Sequence, residues 1–173
     1  MSLVKEKEEF YKQLEERKSE EEEKRIRRER FEQRIRKELP SIVNRVIKVF
    51  SSLARVPLSP EINEENIILR WAYDSEKIGK VTVKRLRIKN HERFMELRLD
   101  PDVGYIGATS KIVFETNVPK AHLKLPFSNE GLFVTIDPNN SKSNKVVYLD
   151  KDNEFHEFNE EVAIKTLSAV FLD

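Results

Sequence analysis

Arg85, Arg87 and Lys89 recur at every second position of residues 80–89 (KVTVKRLRIK), a segment rich in Val and Ile. On an extended strand such residues share one face, and a row of cations is the chemistry that neutralises phosphates. Asn90-His91 reads as a turn that brings Arg93, and further on Arg98, towards the same face. Arg85, Arg87, Lys89 and Arg93 are therefore the candidate basic binding face. Trp71, Tyr73 and Phe94 offer stacking surfaces for bases where they are exposed. The plainer account is the solvent side of a one-sided sheet, opposite Leu86 and Ile88, with its charges met by carboxylates elsewhere. No ribonucleoprotein aromatic motif or recognition helix accompanies these cations.

Asp150-Lys-Asp152-Asn-Glu154-Phe-His156, with Glu161 at the twelfth position, places oxygen ligands at alternate residues as a calcium loop does. Its sixth position, however, is Phe155 where the tight turn needs Gly. A polar hairpin turn between Tyr148 and Phe155 is the expectation instead. His91, His122 and His156 are far apart and lack zinc spacing. Gly104 and Gly107 (VGYIGATS) lack the third glycine and following helix of a dinucleotide fingerprint, and read as a turn. The chain has no cysteine, which removes thiolate metal sites, disulfides and Cys nucleophiles. No cofactor and no metal ligand set is expected. Catalysis by an Asp or Glu pair is a residual class, because carboxylates are too abundant to single out a pair, and the reading leans away from an enzyme.

The elements that must position these residues begin with the clearest feature of the chain. Met1–Glu23 holds nine glutamates against five Lys/Arg, and Lys24–Lys37 holds eight Lys/Arg against two glutamates. No Gly or Pro interrupts this stretch before Pro40, and Glu, Lys, Arg, Gln and Leu favour helix. Acid at the start and base at the end align with the helix macrodipole. Residues 1–39 are thus expected to form a charged helical arm of roughly 50 Å, with i,i+4 pairs such as Glu8–Lys12 and Glu21–Arg25. Leu3, Phe10 and Leu14, like Ile35, Leu39, Ile42 and Val46, have heptad-like spacing. No apolar residue lies between Leu14 and Ile26, so a continuous coiled coil is not filled. The sign reversal suits antiparallel pairing of two arms, with Arg27, Arg28, Arg34 and Ile35 as candidate arm contacts.

Pro40 is expected to kink or break the arm, or to open a new helix at its first turn, with a continuous but bent helix as the remaining alternative. Ile42, Val43, Val46, Ile47, Val49, Phe50 and Leu53 then give residues 41–55 a wide apolar stripe. Strands are expected at 66–73, 80–89 (with a bulge near Lys84-Arg85, where the apolar phase changes), 93–99, 110–115, 122–125, 132–137 and 145–149. Asp100-Pro101, Asn129-Glu130-Gly131 and Asp137-Pro138-Asn139 mark turns. Asn159 caps a last helix from Glu160, with Val162, Ile164 (or Ala163), Leu167, Val170 and Phe171 facing inward.

The sequence thus implies an α+β chain. A long charged N-terminal helix precedes a mainly antiparallel sheet of about six strands, with two helices packed on one face. Residues 1–39 are the arm and 40–173 the globular domain. No apolar run approaches the ~18 residues of a membrane span, and the charged N-terminus does not resemble a signal peptide, so a soluble, cytoplasmic chain is expected. Two functions follow as expectations. One is a non-enzymatic interaction or assembly module whose arm mediates self-association, with a homodimer as the simplest case, or docking to a protein partner in a larger complex. The alternative is nucleic-acid binding by the basic arm segment and the basic strand face.

Overall fold

The structure, a computed structural model, describes residues 2–128 and 131–172. The turn read at Asn129-Glu130-Gly131 therefore lies largely outside the described residues. The chain divides into two compact units, Met1–Arg34 and Ile35–Asp173. Composition alone puts the boundary after Leu39, but the first fully buried apolar side chain is already Ile35.

Helix α1 spans Leu3–Leu53 with Pro40 inside it. The helix expected at 41–55 is the last part of α1, not a separate element. The reason is the stripe Ile35, Leu39, Ile42, Val43, Val46, Ile47 and Phe50, which keeps its three-and-four spacing straight across the proline and is buried throughout. An interior proline costs about 3 kcal/mol, whereas burying each such side chain contributes about 1.5–3 kcal/mol. Burial wins, and the helix continues.

Seven strands follow: β1 (Ser59–Trp71), β2 (Lys77–Lys89), β3 (Phe94–Gly104), β4 (Thr109–Thr116), β5 (Leu132–Thr135), β6 (Lys145–Leu149) and β7 (Phe155–Glu157), then helix α2 (Glu160–Phe171). They form one sheet in chain order, each strand antiparallel to the next, so the architecture is α+β. The end of β1 also meets β3 in parallel, Arg70 beside Asp102 and Trp71 beside Val103. The seventh strand is β7, which the Asp150 turn pairs with β6. The strand anticipated at 122–125 is absent. A 3-10 turn, Lys120–His122, stands just before an irregular segment there. β1 starts earlier than expected because Pro60 lies on an outer strand, where a missing amide donor is tolerated.

The phase change in β2 is real, but its cause is not a bulge at Lys84-Arg85. Pairing with β1 runs unbroken through both residues, and the register shift lies at Leu69/Arg70. Val81 and Val83 are buried on one side of the β1–β2 ribbon, Leu86 and Ile88 on the other. Pairing of β2 with β3 begins only at Leu86. Upstream of that point, α1 side chains take the place of a neighbouring strand. The Lys84 amide donates to Asn44 Oδ1 at 3.0 Å, and Arg36 donates to the Ile78 carbonyl at 2.6 Å. Gly79 makes room for this, because a Cβ there would overlap the Arg36 side chain.

Helix α2 begins as its sequence implies. Asn159 Oδ1 accepts from the Val162 amide at 3.0 Å, which satisfies one of the free donors of the first turn. Val162, Ala163, Thr166, Leu167, Ala169 and Val170 are buried, and Arg93 ties its end to the sheet by donating to the Val170 carbonyl. Ile164 is exposed, so Ala163 occupies the inward position.

Candidate functional site

The basic strand face exists, and most of its charge is already engaged. Cross-strand register places Arg87 opposite Glu96, a residue alternating with the buried Met95 and Leu97 and therefore directed to the other face. Glu96 is nonetheless only 7% exposed. Its carboxylate accepts from Arg85 at 3.1 Å and from Arg87 at 2.7 Å. Burial is the largest single influence and raises its pKa, but the hydrogen bonds and charges of the two arginines together outweigh it, leaving the group below its ordinary value. The Arg85 guanidinium is pushed up in turn by its hydrogen bond and charge contact with Glu96. Arg87 also lies 4.3 Å from the centre of the Phe94 ring, a cation–π contact. Arg98 pairs with Glu115 at 3.0 Å.

Of the four residues proposed for this face, Arg85 and Arg87 come together around Glu96. Lys89 sits exposed at the end of β2, opposite Phe94. Arg93 points to α2 and is not part of the cluster. Glu96 is the residue that sequence reasoning missed. Its signal is the single acid in the outward phase of the β3 run MELRL, but it acquires meaning only once β2 and β3 are in register. The aromatic surfaces divide as well. Trp71 is buried, Phe94 is half-buried beside Arg87, and Tyr73 is exposed, with its ring edge-on to Tyr105 at 4.8 Å.

Residues 150–154 form the β6–β7 hairpin turn, and Phe155 and His156 open β7. Asp150 Oδ1 accepts from the amides of Asp152 and Glu154, and Oδ2 lies 2.6 Å from His156 Nε2. The hydrogen bond from the Glu154 amide, followed by that of His156, lowers the pKa of Asp150. Ligand atoms of Asp150, Glu154 and His156 lie within 4.8 Å of one another. Both Asp150 oxygens already serve the turn, and Glu161 is instead at the start of α2, paired with Lys165 at 3.3 Å. His91 and His122 are exposed elsewhere. Gly104 and Gly107 flank the β3–β4 turn.

In the first unit, Leu3, Val4, Phe10, Tyr11 and Leu14 are all exposed large apolar residues, Phe10 at 60% and Leu14 at 51%. Helical spacing puts Leu3, Phe10 and Leu14 on one side, flanked by Val4 and Tyr11. Phe10 and Tyr11 are in edge contact at 5.3 Å. Further along, Arg25 pairs with Glu22 at 2.6 Å and Glu29 at 3.4 Å rather than with Glu21, and Arg28 pairs with Glu32 at 3.1 Å. Among the candidate arm contacts, Arg27 is exposed, Arg28 is engaged by Glu32 and Arg34 closes the first unit. Ile35 belongs to the core of the second unit.

Among the described residues no helix is long and apolar enough to cross a membrane. With the α+β architecture and these clusters defined, comparison with protein-family models, curated proteins and solved structures finds no match.

Proposed function

We propose that the chain is a non-enzymatic assembly module whose charged helical arm mediates self-association or docking to a larger complex. The observation that carries this reading is the run of five large apolar side chains, Leu3 to Leu14, exposed together on one end of α1. Large apolar side chains left exposed on one side of a helix and bordered by charge are characteristic of an interaction surface. The strand face lends less support to phosphate binding, since Arg85, Arg87 and Arg98 are held by Glu96 and Glu115.

The test is light scattering after size exclusion on the full chain, across concentration and at low and high salt, beside the double variant Phe10→Glu/Leu14→Glu. Removing the arm at Pro40 is unsuitable, because Ile35 and Leu39 are core residues. A wild-type mass above that of the monomer that falls to the monomer in the variant is the expected result. A monomer under all conditions, or equal masses for both proteins, would overturn self-association.

A further inference from the structure

A second exposed apolar surface lies in the Ile35–Asp173 unit, where α1 and α2 end. A cleft of about 480 Å³ is lined by Leu53, Pro57, Leu58, Leu167, Phe171 and Leu172, with Arg55 among its walls. A recess of about 340 Å³ adjoins it, sharing Ser168 and Leu172 and adding Leu125 and Pro126. Ile164 and Leu172 are 48% and 78% exposed there. Among the described residues, the charged side chains lining the two recesses are Arg55, Lys124 and Lys165, the last paired with Glu161. An apolar trough with Arg55 and Lys124 at its margins suits an amphipathic helix with an acidic flank.

The chain itself carries such a helix. The exposed stripe from Leu3 to Leu14 lies in a charge-balanced stretch, three Lys and three Glu, and is followed by an acidic flank, residues 15–23, with six glutamates against two Lys/Arg. We propose that the apolar-striped start of α1 from a second copy seats in this groove, Phe10 and Leu14 against the α2 side, with the acidic flank after Leu14 running beside Arg55 and Lys124. The inference rests on the arm's role in association and specifies where the arm goes. It joins two different surfaces, so reciprocal exchange gives a closed two-fold dimer, while non-reciprocal contact extends into a chain.

Complementation between two damaged full-length proteins tests it. The arm variant is Phe10→Glu/Leu14→Glu and the groove variant is Ile164→Glu/Leu172→Glu, all at exposed positions. Each alone should associate at least about tenfold more weakly than wild type in sedimentation. An equimolar mixture should recover association, because the arm variant keeps its groove and the groove variant keeps its arm. One restored contact out of two makes the mixed species weaker than the wild type but tighter than either variant alone.

If the groove variant associates like wild type, or the mixture fails to recover, the groove is not the seat, although the arm still mediates association. A wild-type monomer, or an arm variant of undiminished affinity, overturns both. Should the groove variant melt below wild type, Arg55→Glu/Lys124→Glu replaces it, with the same recovery expected.

Discussion

Replacing Glu96 with Gln tests whether the carboxylate between Arg85 and Arg87 holds the outer face of the sheet together. Each charge-assisted hydrogen bond contributes about 1.5–3 kcal/mol. Against this stand the desolvation of a carboxylate that is 9% exposed and the partial hydration of guanidiniums left 39% and 42% exposed, which screens roughly half of the gain. Glutamine keeps the shape and one acceptor but turns an amide donor towards an arginine. The expected loss is about 2 kcal/mol near neutral pH, or about 4–8 °C in melting temperature for a chain of this size. Trp71 is the one tryptophan and is buried in the Ile35–Asp173 unit, so its fluorescence follows that unit without interference from the arm. The pH dependence has a definite sign. Glu96 has a folded pKa below its ordinary 4.5, so its stabilisation is complete above that value and is lost as pH falls through the folded one. The gap between wild type and variant should narrow on acidification over that interval. A melting difference under about 1 °C at neutral pH, or one unchanged in acid, would refute the reasoning.

Gly131→Ala should cost about 3 kcal/mol or more in urea denaturation, because its φ of +88° is compounded by a Cβ placed on the fixed Ile112 carbonyl oxygen. Gly79→Ala should cost about 2–4 kcal/mol in the same assay, since its φ of +150° strains an alanine and its Cβ also displaces the Arg36 side chain from the Ile78 carbonyl. Pro40→Ala should raise the thermal midpoint. The restored amide can bond within α1, and the gain of about 3 kcal/mol is offset by about 1 kcal/mol from a looser unfolded chain. Asn159→Ala should lower stability by about 1 kcal/mol, read from the same denaturation curves, through loss of the bond to the Val162 amide.

The features legible in the sequence are those set by neighbours along the chain. The β2–β3 hairpin follows from its alternation, the β6–β7 turn from Asp150 to Asn153, and the start of α2 from Asn159. The sequence leaves open whether the helix breaks at Pro40 or runs through it, because the burial that sustains it comes from a sheet that only the fold assembles. The seventh strand escaped for a similar reason, since three exposed residues carry no pattern. For the candidate site, the alternation of Arg85 and Arg87 was readable but their shared occupation by Glu96 was not, as it depends on register between strands. Phe10 and Leu14 were visible as spacing. Their exposure, and the cation-edged groove beside Ile164 and Leu172, required the packed structure.

The two outer strands of the sheet bear on how this chain meets other molecules. β1 carries Pro60, Glu61, Glu64 and Glu65 along its first half, and β7 is three residues long. A proline denies an incoming strand one amide, clustered like charge repels a second copy of the same edge, and a three-residue strand offers too short a template. Growth of the sheet by adding strands from neighbouring molecules is therefore discouraged at both ends. A chain with exposed apolar helix surfaces and such guarded margins is disposed to associate by side-chain packing rather than by extending its sheet.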